Sequence, residues 1–288
     1  MRDDFGILVI THQRPNSQIT LDYLRNRGYT GPVWLVIDDQ DPTGDEYRRL
    51  FGDKVLVFSK PEIAETFDEG DNFHDYRAGV YARNACWDFA RQLGLKFYIQ
   101  IDDDIRLFQW RRMGTKDGAY KLGSWSNRRL DETFETLVRF VEDTDTQGFS
   151  VALGGDRIGG VKNLHFGRGK LSLRRKPMGL WLVATDRPFP FIGRMNDDVN
   201  TYMTLGNRGG LFFSYTGLQI DNPNTQAQAG GMTDIYLARG TYQKSMYTVM
   251  MGPSYTQIAM MGVTDQRLHH RIKWDHALPK IVSEGLRR

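Results

Sequence analysis

The first hundred residues are punctuated by unbroken apolar runs that end in polar or acidic residues. FGILVI starts at 5 and gives way to THQR, GPVWLVIDD spans 31–39, KVLVFSK spans 54–60, and KFYIQIDDD spans 96–104. A strand that is apolar on both faces has no side to offer water. Such strands belong in the middle of a sheet covered by helices above and below, most often a parallel one. The intervening segments supply the helices. NSQITLDYLRNRG (16–28) has Asn16 or Ser17 as its N-cap and Gly28 as its stop, and AGVYARNACWDFARQLG (78–94) stops at Gly94. Residues 61–77 read as polar and irregular.

The second half keeps the alternation with different spacing. LDETFETLVRFVEDT (130–144) is amphipathic with helical period; GFSVALGG (148–155), MGLWLVATD (178–186) and GLFFSYTGLQI (210–220) read as strands. NDDVNTYMTLGNRG (196–209) and GTYQKSMYTVMMG (240–252) read as helices, and SYTQIAMMG (254–262) as a strand. With no repeat or low-complexity linker, the expectation is one α/β domain over 1–288. It combines a nucleotide-binding half to about 110 with an acceptor-binding half from about 111, built on a mixed, mostly parallel central sheet with helices on both faces.

Composition narrows the classes. In 288 residues, 40% are apolar and 25% charged, and no apolar run reaches the length of a membrane span, so no membrane partner is expected. The N-terminus MRDDFGILVI lacks a signal-peptide pattern, which predicts a cytoplasmic protein. The single cysteine, Cys86, excludes an internal disulfide and a cysteine zinc site, and its helical setting reads as packing. Net charge is only +3, but cations cluster in RGKLSLRRK (168–176) and RLHHRIK (267–273). Each reads first as a solvated loop and second as a phosphate-contacting patch.

In open α/β sheets, ligands bind beyond the carboxyl ends of the strands. Three such ends are polar here: Thr11-His12-Gln13-Arg14, Asp38-Asp39, and Asp102-Asp103-Asp104. Three adjacent carboxylates repel one another, a cost removed either by water at a surface turn or by a cation. Mg²⁺ and Mn²⁺ take oxygen ligands and share carboxylates with substrate phosphates, so the triplet suits a metal-bound diphosphate. A second acidic pair, Asp197-Asp198, sits at a helix start, where capping alone would also explain it. Lys244 lies in a Gly- and Ser-containing stretch and is either an exposed helix lysine or a point charge for a diphosphate.

The run ARNACWDFARQLGLKFYIQIDDD, with its order of helix, glycine stop, apolar strand and DxD, resembles the GT-A fold of nucleotide-sugar glycosyltransferases. That resemblance implies Asp102 and Asp104 at the metal and the donor, with Asp104 the most direct ligand and Asp103 beside the donor. It places Asp38 and Asp39 near the nucleoside, Arg83 and Asn84 near the base or diphosphate, and Asp197 or Asp198 facing the acceptor hydroxyl. A late histidine, His270 of the His269-His270 pair, would complete the metal site. More narrowly, GGMTDIYLARGTYQKSMYTVMMGPSYTQIAMMG and RLHHRIKWDHALPKIV look like the TET-associated glycosyltransferases of phages, a likeness running from the first strand to about Val282. It implies a UDP-sugar donor, Mn²⁺ or Mg²⁺, and 5-hydroxymethylcytosine in double-stranded phage DNA as acceptor. Arg174, Arg175 and Lys176 would contact the nucleic acid, and Trp125, Trp181 and Phe191 would offer stacking surfaces.

Three other readings compete. A glycan or small molecule could be the acceptor. VWLVIDDQDPTG mimics, through Asp39-x-Asp41-x-Thr43, the phosphatase motif of haloacid-dehalogenase-like proteins; it also mimics the start of a calcium loop, but the twelfth position is Leu50 rather than Glu. A non-catalytic DNA- or glycan-binding module on the same scaffold is the third.

Overall fold

A computed structural model describes residues 1–116, 119–153, 171–173, 177–221, 241–261, 266–278 and 284–286. Its centre is a ten-stranded mixed sheet. The strands are β1 (Phe5–Ile10), β2 (Val33–Asp38), β3 (Val55–Phe58), β4 (Phe97–Asp102), β5 (Leu107–Lys116), β6 (Ala119–Ser126), β7 (Gly148–Leu153), β8 (Leu171–Ser172), β9 (Leu180–Ala184) and β10 (Phe212–Asp221). Their order is β3-β2-β1-β4-β9-β7-β10-β5-β6, with β8 pairing β10. The first four are mutually parallel, whereas β9, β5 and β8 run against their neighbours. This is the mixed, mostly parallel architecture expected from the sequence. β11 (Thr256–Met261) and β12 (Arg267–Ile272) form a separate antiparallel ribbon.

Period-two alternation assigns the two faces. Phe5, Ile7 and Val9 of β1, Phe97, Ile99 and Ile101 of β4, and Leu180 and Leu182 of β9 pack into one core. Leu8, Tyr98, Trp181 and Val183 point the other way into a second core. Helix α1 (Ile19–Asn26) follows β1, α2 (Gly44–Phe51) follows β2, and the short α3 (Lys60–Ala64) follows β3. Helix α4 (Val80–Gln92) buries ten of its thirteen residues. Later come α5 (Leu130–Thr144), α6 (Asp197–Asn207), α7 (Thr241–Met251) and α8 (Trp274–Ala277). No helix among the described residues is long and apolar enough to cross a membrane.

Several expectations need correction. The N-cap of α1 is Gln18, not Asn16 or Ser17: the Gln18 amide turns back to the Arg14 carbonyl and the Thr11 hydroxyl, closing the turn later than residue type predicts. The segment 44–51 is a helix that the sequence reading passed over, because its buried face consists of little more than Gly44 and Tyr47. Residues 267–272 form a strand rather than a solvated loop, with Leu268 opposite Met260 and His270 opposite Ile258. Trp181 and Phe191 are fully buried against each other in the second core and offer no stacking surface. Asp39 to Thr43 form the turn that opens α2, in which Asp41 accepts from the Thr43 amide and hydroxyl; the pattern that mimicked a phosphatase motif is spent on this turn.

Candidate active site

Strand order places the site. The chain steps outward from β1 to β3, then returns to lay β4 on the other side of β1, so β1 and β4 flank a topological switch point. Register aligns their ends: Ile10 pairs with Asp102 and also with Val36, so Thr11, Asp103 and the end of β2 lie side by side. Below the triplet, the Thr20 hydroxyl donates to the Asp102 carbonyl and accepts from the Ile105 amide, while the Thr20 amide donates to the Asp103 carbonyl. The first turn of α1 thereby fixes the backbone on which all three carboxylates sit.

The three acids diverge. Asp103 is buried, and both its oxygens are used: Oδ2 accepts from the Thr11 hydroxyl at 2.7 Å and Oδ1 from Arg14 Nη1 at 2.8 Å. Thr11 also meets the Tyr47 hydroxyl at 2.7 Å. Asp103 therefore acts as framework, tying β1, β4 and α2 together. Asp104 is different, because its Oδ1 is buried without a hydrogen-bond partner. Burial first, and then the charges of Asp102 and Asp103, push its carboxyl up to about 7. A carboxylate so placed and so costly fits an oxygen-seeking divalent ion.

Asp102 turns toward α4, where Arg83 Nη2 donates to its Oδ1 at 3.0 Å. Arg83 is 7% exposed, and its Nε lies 2.9 Å from Asp197 Oδ2, close but without hydrogen-bond alignment. Burial, offset in part by Arg83 and reinforced by the charges of Asp198 and Asp102, pushes the Asp197 carboxyl well above its ordinary value. Asp198 instead accepts from the Val199 amide at 2.7 Å, a helix-start contact. The sequence left this pair undivided; the geometry sets Asp197 against Arg83 and Asp102, with Asp198 beside it in the first turn of α6. Gly179, at φ +70°, lets the chain pass beside the triplet, since a Cβ there would stand 3.3 Å from Ile220 and 3.7 Å from Asp102 Oδ2.

The remaining predicted residues fall into separate groups. His12 Nδ1 lies 2.9 Å from Asp38 Oδ2 and 3.4 Å from Asp41 Oδ2, and Lys60 Nζ lies 3.0 Å from Asp38 Oδ1. Burial alone would raise the Asp38 carboxyl, but the hydrogen bonds from His12 and Lys60 outweigh it and hold the group low. His12, Asp38 and Asp41 are the one set of three acid or histidine ligands within 4.8 Å of one another among the described residues. Their lone pairs already meet Lys60, Gln13, Gln40 and Thr43, so protein donors do what an ion would do there. Asp102, Asp104 and His270 do not form such a set. Exposed Asp39 accepts from the Lys60 amide. Asn84 spends its amide on the backbone of Val80 and Phe191, which fixes the loop before α6. His270 is 3% exposed on β12, with its Nδ1 3.5 Å from the Asn196 amide. Asn196 Nδ2 also donates to the Lys244 carbonyl at 2.8 Å, which sets α7 against the start of α6. Arg174, Arg175 and Lys176 lie outside the described residues.

Sequence reasoning missed Tyr47 and Lys60, one on the unpredicted helix and the other taken as a strand end. It also missed Arg194. That guanidinium is fully buried, 2.7 Å from Asp71 and 3.3 Å from Asp75, and it donates to the Tyr247 hydroxyl at 3.1 Å. It joins the 65–77 loop to α7 directly before Asp197. No sequence signal marked it, because all its partners are distant in the chain.

Among solved structures, the chain is similar to glucosyl-3-phosphoglycerate synthase from Mycobacterium tuberculosis, crystallised with Mn²⁺, uridine diphosphate and phosphoglyceric acid. Identity is 9% and the TM-score 0.47, over 93% of this chain and 86% of that one. It is also similar to GalNAc-T7 with UDP, GalNAc and Mn²⁺, at 12% identity and TM-score 0.44, over 76% of this chain and 43% of that one. No curated protein matches its sequence. Residues 5–231 match the TET-associated glycosyltransferase family, and the chain is a glycosyltransferase belonging to that family.

Proposed function

We propose that the protein transfers a sugar from a UDP-sugar to the hydroxyl of 5-hydroxymethylcytosine in double-stranded DNA, with Mn²⁺ or Mg²⁺ at the acid triplet. The observation that carries the reading is Asp104, a buried carboxylate oxygen without a hydrogen-bond partner beside two further acids, one of which, Asp102, shares Arg83 with Asp197. Asp104 and Asp102 would hold the ion; its hard oxygen preference suits them, and when bound it supplies charge compensation for the departing diphosphate. Sugar and nucleotide recognition falls to the β1 and β2 ends, where His12, Asp38 and Lys60 form a preorganised polar floor. Family membership supports the DNA acceptor.

In the transfer, the acceptor oxygen bonds to the anomeric carbon while the bond from that carbon to the phosphate oxygen breaks. The electron pair leaves with the nucleotide, and the acceptor proton passes to Asp197. Burial raises the Asp197 carboxyl above the ordinary carboxylate range, which makes it a stronger base for that proton. A base in duplex DNA must first be flipped out, at a cost of a few kcal/mol. The cations at 174–176 are suited to the phosphate contacts that offset this.

The test incubates the purified protein with UDP-sugars and hydroxymethylated duplex DNA, with and without Mn²⁺, and weighs the released nucleosides. A hexose mass gain on 5-hydroxymethylcytosine, lost on chelation, is expected. Sugar transfer to a free glycan with none to DNA would overturn the acceptor; donor turnover unaffected by chelation would overturn the metal.

A further inference from the structure

Arg83 lies on the first turn of α4 and reaches two acids that are remote in sequence. One guanidinium presents Nη2 to Asp102 at 3.0 Å and Nε to Asp197 at 2.9 Å. Asp102 ends the strand that carries the triplet; Asp197 begins α6. The neighbouring residue, Asn84, grips the Phe191 backbone through both its oxygen and its amide nitrogen, so α4 also fixes the loop that leads into α6. The Phe191 ring stands 6.0 Å from the guanidinium carbon and closes one side of it. Arg83 Nη1 is buried and has no hydrogen-bond partner. A buried arginine with Nη1 idle and Nε in ion-pair contact without a hydrogen bond is an expensive way to stabilise a fold, because desolvation offsets much of the pairing energy. It is a good way to hold two carboxylates at a set spacing, since the planar fork presents its donors at fixed positions.

We propose that Arg83 is a positioning residue that registers the acceptor-side acid Asp197 against the donor-side acid Asp102. The inference rests on the glycosyl-transfer reading and adds how its two halves are aligned. Transfer needs the acceptor hydroxyl and the anomeric carbon within a few tenths of an ångström of a productive line, and small misplacements cost large factors in rate. By gripping both acids, Arg83 makes the position of Asp197 follow that of the triplet. A lysine at this place keeps the positive charge but, as a point charge on a flexible stem, cannot fix two carboxylates relative to each other.

Four proteins test this: wild type, Arg83→Lys, Asp197→Asn and the double variant. Each is titrated with Mn²⁺ and UDP by calorimetry, melted, and assayed for transfer to hydroxymethylated DNA. Arg83→Lys is expected to keep UDP affinity and donor KM within about threefold and to lose about a hundredfold in kcat. The double variant is expected to match Asp197→Asn within about twofold, because the arginine then has nothing left to act through. A raised donor KM with unchanged kcat would make Arg83 a donor contact, and additive losses in the double variant would show it acting independently of Asp197; either overturns the proposal. If Arg83→Lys folds poorly, Arg83→Gln combined with Asp197→Asn removes both charges of that pair. Its kcat should equal that of Asp197→Asn alone, and a further loss overturns the proposal. A wild type that neither binds UDP nor transfers sugar would defeat the underlying function instead, and so is told apart from failure of the positioning role.

Discussion

Asp104→Asn separates the cost of the acid triplet from its use. Burial and the two neighbouring carboxylates lift the Asp104 carboxyl from its ordinary 3.8 to about 7. Such a group binds its proton more tightly in the folded state than in the unfolded one. Its penalty is absent below about pH 4, where both states are protonated, grows as pH rises from 4 to 7, and is complete above 7. At about 1.36 kcal/mol per pKa unit the ceiling is about 4 kcal/mol. Asp104 is only half-buried, and screening by water reduces this to about 1–2 kcal/mol. Asparagine keeps the shape and cannot ionise. In chelator at pH 8, Asp104→Asn should therefore melt a few degrees above wild type, the gain shrinking to nothing by pH 4. With Mn²⁺ and UDP added, wild type should rise past the variant, which should also have lost transfer activity. The assay is thermal melting across pH with and without Mn²⁺. A variant less stable than wild type at pH 8 in chelator would refute the claim that the triplet carries unrelieved charge. A variant stabilised by Mn²⁺ as strongly as wild type would refute Asp104 as the ligand.

Arg194→Met removes the cation from Asp71 and leaves Asp75 with Arg77 alone. Breaking a buried pair costs about 3–5 kcal/mol, so a markedly lower melting point is expected, with chymotrypsin cleaving first near Phe73, which is 60% exposed; an unchanged melting point would remove Arg194 as the anchor of the 65–77 loop. Asp38→Asn should weaken UDP binding about tenfold by releasing both His12 and Lys60, a loss of ~1.4 kcal/mol, while kcat for transfer holds; calorimetry and steady-state kinetics check it. The Cys86 thiol is fully buried and pushed up to about 12 by that burial, so a thiol-specific dye at pH 8 should label the protein only after denaturation.

Four apolar runs and their polar ends determined much from sequence alone. Largely apolar runs of four to six residues need cover on both sides, and that requirement specifies buried strands, flanking helices and a row of polar residues at one sheet edge. Helix α5 was legible to the residue because its apolar stripe is strictly periodic over 130–144. Helix α2 was not, because two buried residues are too few to set a period. The acid triplet announced itself as a charge problem, but its division of labour did not: only the fold brings Thr11 and Arg14 to Asp103, leaves Asp104 unpartnered, and sets Arg83 between Asp102 and Asp197. Adjacent residues on a strand point alternately and meet whatever the crossovers deliver, so three identical side chains in a row acquire three different environments. The triplet's partners come from 19 to 92 residues away. Local pattern fixes which face a residue takes; which charge waits for it there depends on strand order and register, and those are properties of the whole chain.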